Sequence, residues 1–240
     1  MIARGIAVPP IVILVSLASL PLASAQQSRE SPARDPSPSR RVAAARRTAT
    51  PPTIDGNLDD EVWREAQPLT DFIQAEPFEG QPASERTEVR ILYDDRNVYV
   101  GVKCFDSDPS QIVTSDARRD PSMTDMDSFQ MIFDTYHDRQ NGFVFGTNAV
   151  GSQYDAQVRD EGDRQANAPP GLSGATTGTG AGTNVNWDAS WDVKARVTEE
   201  GWTAEFAIPL RTLRYGPPPQ VWGVNFMRNI RSKREQVYWS

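Results

Sequence analysis

Three groups of side chains could do chemistry. Asp55, Asn57, Asp59 and Glu61 alternate like the first half of a calcium loop. The twelve-residue template then needs Gly at its sixth place and Glu at its twelfth, where this chain has Asp60 and Ala66. Capping of a short helix uses the same carboxylates better. A second group, Asp116 to Asp120 with Asp125 and Asp127, stands beside a predicted strand. Asp120, Asp125 and Asp127 are the candidate metal ligands, with calcium the cation that such oxygens suit. Paired carboxylates in this cluster could also hydrolyse a glycosidic bond if set roughly 5 to 10 Å apart. In so acidic a chain, such pairs also arise without function. The third group is His137 with Met123, Met126 and Met131, which could in principle ligate haem. The surrounding Asp134 to Arg139 reads as a polar turn, so an exposed histidine is the simpler account.

Composition removes most other chemistries. The chain has 240 residues, with 25 Lys and Arg, 32 Asp and Glu, one His and one Cys. Residues 1–47 hold seven arginines against Glu30 and Asp35, so the rest carries 18 basic and 30 acidic side chains. An acidic body with no basic stripe argues against nucleic-acid binding. Cys104 alone excludes an intrachain disulfide and a thiolate zinc cage. No Gly-rich phosphate loop and no Gly-x-Ser-x-Gly elbow is present. What remains is six Trp, six Tyr and nine Phe. Aromatic planes stack on sugar rings while amides and charged groups bond the hydroxyls. Trp187, beside a Gly-rich stretch, and Trp239, almost at the end, are the rings least explained by core packing.

The elements that must position these groups are strands. Val89, Ile91 and Tyr93 belong to an alternating run that turns at Asp94 to Asn97 into Val98 to Phe105, a hairpin. Phe129, Met131 and Phe133 alternate with Ser128, Gln130 and Ile132, and Phe143 and Phe145 with Val144 and Gly146. Trp191 to Val197 pairs across Glu199-Glu200-Gly201 with Trp202 to Ile208. Trp222, Val224 and Phe226 precede Gln236 to Trp239. About nine or ten strands at hairpin spacing predict an all-β, antiparallel, jelly-roll-like sandwich. One short helix is expected over Leu58 to Ala66, capped by Asn57 and plugging one end of the sandwich.

Outside that body, residues 1–25 read as a secretory signal: Arg4, an apolar stretch from Ile6 to Leu22, then Ala23-Ser24-Ala25. The expected location is periplasmic, outer-membrane associated or extracellular. Residues 26–48 are poor in bulky apolar side chains and predict a disordered tether. Residues 49–240 are the sandwich, interrupted at 160–186 by a predicted mobile Gly/Thr loop.

Taken together, several stretches resemble family 9 carbohydrate-binding modules. They are Thr53 to Asp60 with Trp63, Ile91 to Val100, Asp127-Ser128-Phe129-Gln130 with Asp134, Trp202 to Pro209, and Trp222 to Phe226. Phe72 to Pro77 and Trp187 to Asp192 are more similar to a subgroup, the N-terminal domain of large bacterial envelope proteins of unknown function. Those proteins continue into a region expected to be an outer-membrane barrel, so a chain stopping at Ser240 is expected to be part of a longer one. The resemblance implies a non-catalytic module whose partner is a glycan or polysaccharide, with outer-membrane or envelope components as further partners. A structural or interaction domain without sugar binding, and a hydrolase of O-glycosyl bonds, stay open as alternatives. Sugar-binding members carry a tryptophan shortly before the Asp-Ser-aliphatic-Glu motif, where this chain has Met123 to Met126. The motif's glutamate is Gln130, and an arginine of the following strand is replaced near Gly146. By alternation, Gln130, Asn148 and Asn225 share one sheet face and are the candidate polar contacts, with Trp187 and Trp239 the candidate rings.

Overall fold

The computed structural model describes residues 41–114, 118–159 and 182–240. The expected signal at 1–25, most of the expected tether, Asp116 and Ala117, and residues 160–181 lie outside the described residues. Among the described residues, no helix is long and apolar enough to cross a membrane.

Two sheets face each other, as the alternation predicts. The first has five strands in the order β1 (Arg46–Arg47), β3 (Thr87–Tyr93), β4 (Asn97–Phe105), β10 (Gly201–Pro209) and β9 (Asp192–Thr198). The second has seven: β2 (Ile73–Glu76), β12 (Glu235–Trp239), β11 (Gly223–Ile230), β5 (Ser128–Asp134), β6 (Gly142–Asn148), β7 (Tyr154–Val158) and β8 (Thr183–Asn184). All pairings are antiparallel except β1 with β3. Val89, Ile91, Val100, Val102, Trp202 and Phe206 of the first sheet bury against Phe129, Phe145, Phe226 and Val237 of the second. Trp191 stacks on Phe206 at 5.8 Å and Phe129 meets both Phe206 (6.2 Å) and Phe226 (5.9 Å). Rings reaching across the gap hold the layers together.

Two turns show how local chemistry sets the register. Asp94 accepts from the Arg96 and Asn97 amides and from the Tyr99 hydroxyl, closing the β3–β4 hairpin. Partial burial pushes its carboxyl up, but these donors hold it below the usual range. At the β9–β10 hairpin, Gly201 has φ +136°, and a Cβ there would lie 2.0 Å from the Cys104 carbonyl oxygen. Only glycine fits.

The structure departs from expectation in four places. Among the described residues there are twelve strands, because two-residue pairings at sheet edges carry too little alternation to register in a sequence. The helix α1 is a single turn, Glu61–Arg64, and Asp60, not Asn57, precedes it, with no side-chain cap. It does not plug an end. Trp63 and Ala66 pack with Leu92 and Tyr99 on the outer face of the five-stranded sheet. Finally, residues 41–48 lie on the domain: Arg46 and Arg47 pair with Leu92 and Tyr93, and the Thr48 amide donates to the Tyr93 carbonyl at 2.9 Å. The open edge of β3 offers backbone partners that a chain can use whatever its side chains are. Part of the expected loop is likewise a strand, since Thr183 and Asn184 pair with β7.

Candidate functional site

The register places Gln130, Asn148 and Asn225 on the outer face of the seven-stranded sheet, as the alternation requires. Ser128 pairs with Asn148, Gln130 with Gly146 and Met227, and Ile132 with Asn225. Their surroundings differ. Asn225 is exposed. Gln130 is 4% exposed and Asn148 is fully buried, because the segment Pro121 to Met126 runs over them as a strap. Ser128 donates to the Met123 carbonyl (2.6 Å), and Asn229 donates to the carbonyls of Thr124 (3.1 Å) and Met126 (2.6 Å). Asn148 is committed to the same edge: its oxygen accepts from the amides of Val150 and Ser152, and its nitrogen faces the Met126 sulfur at 3.1 Å.

Met123 packs with Val144, Tyr154 and Ala156 where sugar-binding relatives are expected to present an aromatic ring. A Cβ on Gly146 would lie 2.9 Å from Gln130 Cγ and 3.4 Å from Met123 Cε. No larger side chain, arginine included, fits there beside Gln130 and Met123 as they stand. The Gln130 amide nitrogen lies buried with no hydrogen-bond partner.

The two candidate rings separate. Trp239 is 5% exposed and packs on Phe226 at 5.8 Å between the sheets. Its place on β12 alternates inward with Val237, which corrects its reading as a surface ring. Trp187 is half-buried where β5 turns into β6, against Phe143 (5.1 Å) and Phe145 (6.0 Å). The same end carries Trp222, half-buried against Phe133 at 6.0 Å, and the exposed Tyr215, 5.8 Å from Trp222. The Trp222 indole N–H donates to the Gln220 side chain at 2.8 Å. Three partly accessible rings thus line one end of the sandwich. The pattern of the sequence puts Trp222 on the core face with Val224 and Phe226. Only its position at the very start of the strand, before Gly223, signals that it reaches the rim.

The acidic candidates do not converge. Asp125 accepts from Ser122 at 2.8 Å, and Asp120, at φ +53°, has an oxygen 3.4 Å from the Asp155 amide. Asp127 turns into the protein, where it accepts from the Val113 amide at 2.8 Å. Burial pushes its carboxyl above the ordinary range, against the Val113 N–H and the nearby Arg228 charge. No group of three or more His, Cys, Asp or Glu side chains able to hold a metal occurs among the described residues. Their spacing in sequence does not become proximity, since one side chain faces the core and the others the loop. His137 lies in the β5–β6 turn at φ +55°, Met131 in the core and Met123 and Met126 on the strap, so these four share no site.

Among the buried ionic groups that the sequence reading missed, three tie distant segments together. Arg228 is fully buried, donating to the carbonyls of Arg86 (3.0 Å) and Phe105 (2.7 Å). Its inward parity with Phe226 and Ile230 was the available signal. Asp155 accepts from the Trp191 indole (2.7 Å), Arg119 (2.6 Å) and the Ala189 amide (3.2 Å). Glu205 accepts from the amides of Asp55 (2.9 Å) and Gly56 (2.8 Å) and from the Trp63 indole (2.8 Å).

That last contact ties the Thr53 to Asp60 stretch and Trp63 to the Trp202 to Pro209 strand through one carboxylate. The chain matches the model of the family described as carbohydrate family 9 binding domain-like over residues 54–237. No match to a curated protein is found. Among solved structures, a putative carbohydrate-binding protein from Bacteroides uniformis ATCC 8492 is 9% identical, with 81% of this chain and 87% of that one covered and a TM-score of 0.56. It shares the fold. A carbohydrate binding module family 9 from Caldicellulosiruptor kristjanssonii in complex with glucose is 17% identical, covering 83% and 85% of the two chains, TM-score 0.49. A carbohydrate binding module family 9 from the same organism in complex with cellotriose is 15% identical, covering 82% and 83%, TM-score 0.49. With the family model spanning most of its length, from the Glu205-clamped segment to Val237 in β12, the chain belongs to the carbohydrate family 9 binding domain-like family.

Proposed function

We propose that this domain is a non-catalytic glycan-binding module whose sugar rests at the aromatic end of the sandwich. Trp187, Trp222 and Tyr215 offer ring faces there, and Asn225 offers an exposed amide on the adjoining sheet face. Family membership over residues 54–237 is the observation that carries the reading. Partly exposed rings supply the apolar stacking that sugars use, and an amide both donates to and accepts from hydroxyls. The apolar stretch at 6–22 and Ala23-Ser24-Ala25 support export, to the periplasm, the outer membrane or the cell exterior. In that setting the domain serves as the N-terminal part of an outer-membrane protein that binds glycans or takes part in their breakdown.

One observation favours a second reading, an interaction domain that has lost sugar binding. The strap residue Met123 occupies the face above Gly146, and Gln130 and Asn148 are buried beneath the strap. Affinity electrophoresis in gels cast with soluble polysaccharides separates the two. The glycan reading expects retarded migration that Trp187→Ala, Trp222→Ala or Asn225→Ala reduces, with circular dichroism unchanged. Unretarded wild-type protein across plant, fungal and bacterial cell-wall polysaccharides would refute the glycan reading and leave the interaction domain.

A further inference from the structure

The opposite side of the molecule has a site that neither reading uses. A cavity of about 420 Å³ opens on the outer face of the five-stranded sheet, between the strands and the segment that carries α1. Its volume falls within the range of small-ligand sites, about 300–1,000 Å³. Arg64, Arg90 and Lys103 line it, with Asp59 and Glu88 as the acidic members. Cations outnumber carboxylates in this lining, and the neighbours Arg86 and Glu200 leave that excess unchanged. The two oxygens of Glu88 hold two different guanidiniums, those of Arg86 and Arg90. One carboxylate therefore serves two cations. Lys103 reaches Glu200 at 2.7 Å, but that carboxylate side chain is 66% exposed, and water and salt weaken such a pair. Arg64 is exposed and has no ion pair among the described residues. The Phe105 ring in this wall has Lys103 4.5 Å and Arg86 5.2 Å from its centre, so the positive groups gather over one apolar plane. Asn57 and Thr198 add an amide and a hydroxyl at the rim.

A positive cleft in a chain of formal net charge -7 is a local inversion. Cations beside an aromatic face and neutral hydrogen-bonding groups suit a ligand that is hydroxylated and anionic and has an apolar ring face. From this we infer that the cleft binds an acidic saccharide, a sugar ring bearing a carboxylate, with the carboxylate set between Arg64 and Arg90. Guanidiniums match carboxylates in shape as well as charge. The site is independent of the aromatic end, which belongs to the other sheet.

The test is an amide NMR titration of the full chain with oligogalacturonate, with the neutral oligosaccharide cellotriose and with inorganic phosphate. Oligogalacturonate is expected to shift the amides of residues 57–64, 88–90 and 103–105. Its affinity should fall as sodium chloride rises from about 0.05 to 0.5 M, since such contacts are screened. Arg64→Glu, at an exposed position, should weaken binding by at least about tenfold with circular dichroism unchanged, and Arg64→Lys should restore part of it. Trp187→Ala and Asn225→Ala should leave it unchanged, so a failed aromatic end and a failed cleft are told apart. Absence of shifts at the cleft, equal shifts from cellotriose or from phosphate alone, or indifference to Arg64→Glu would overturn the proposal.

Discussion

Removal of the Glu205 carboxylate should detach the segment that makes this sandwich recognisable. Glu205 is fully buried on the outer face of β10, and its two oxygens satisfy three donors: the Asp55 and Gly56 amides and the Trp63 indole N–H. Glu205→Ala orphans all three. Each buried donor left without a partner costs about 1–3 kcal/mol, and partial entry of water into the space lowers the total to about 3–6 kcal/mol. A domain of this kind has about 5–15 kcal/mol in all, so the loss is large without being certain to unfold it. Glu205→Gln keeps one oxygen and turns an amide nitrogen toward one donor, so about 1–3 kcal/mol should be lost. The assay is urea unfolding followed by tryptophan fluorescence and circular dichroism. Trp63→Phe supplies the control, because it removes the indole N–H and keeps a ring against Leu92 and Tyr99. In the wild-type background that change leaves a carboxylate oxygen unpaired, whereas in Glu205→Ala it removes an already orphaned donor. The two effects must therefore be non-additive by about 1 kcal/mol or more. A Glu205→Ala protein within 1 kcal/mol of wild type, or strictly additive losses, would refute the clamp (the threshold is about the net worth of one hydrogen bond).

Other outcomes follow from the same geometry. Gly101→Ala should destabilise by about 1–3 kcal/mol, because its Cβ would lie 2.6 Å from Leu58 and 3.0 Å from the Trp63 ring, and a lower urea midpoint is the check. Trp239→Ala should cost about 3–5 kcal/mol as a core cavity, whereas Trp187→Ala should cost clearly less, a contrast that thermal melts read directly. Burial raises the Asp127 carboxyl above its ordinary 3.8, so the folded state holds that proton more tightly than the unfolded chain. The Asp127 contribution to stability is then greatest at or below the unfolded pKa and is lost as pH rises through the folded value. Asp127→Asn should remove that slope, as urea unfolding at a series of pH values from the ordinary carboxylate range upward would show. Cys104 is fully buried, and burial pushes its thiol up to about 12, so Ellman's reagent should label it only in denaturant. Fast labelling of the native protein would contradict its place in the core.

Alternation alone determined the sandwich. Strands have a period of two, and a half-buried surface writes that period into the chain, so Phe129, Met131, Phe133 and their neighbours announced their sheet and its inner face. The shared face of Gln130, Asn148 and Asn225 came from the same parity. Parity says which side a residue takes, not what lies over it. The tertiary structure decided that the strap from Pro121 to Met126 buries Gln130 and Asn148, that Trp239 turns inward while Trp222 reaches the rim, and that Asp127 sits within range of the Arg228 charge and apart from Asp120 and Asp125. It also decided that Glu205 reaches back about 150 positions to hold Asp55, Gly56 and Trp63. Local pattern records each residue's exposure to its own layer, whereas a clamp, a covered face or a charged cleft forms between segments distant in sequence. Its partners meet only once the sheets have closed.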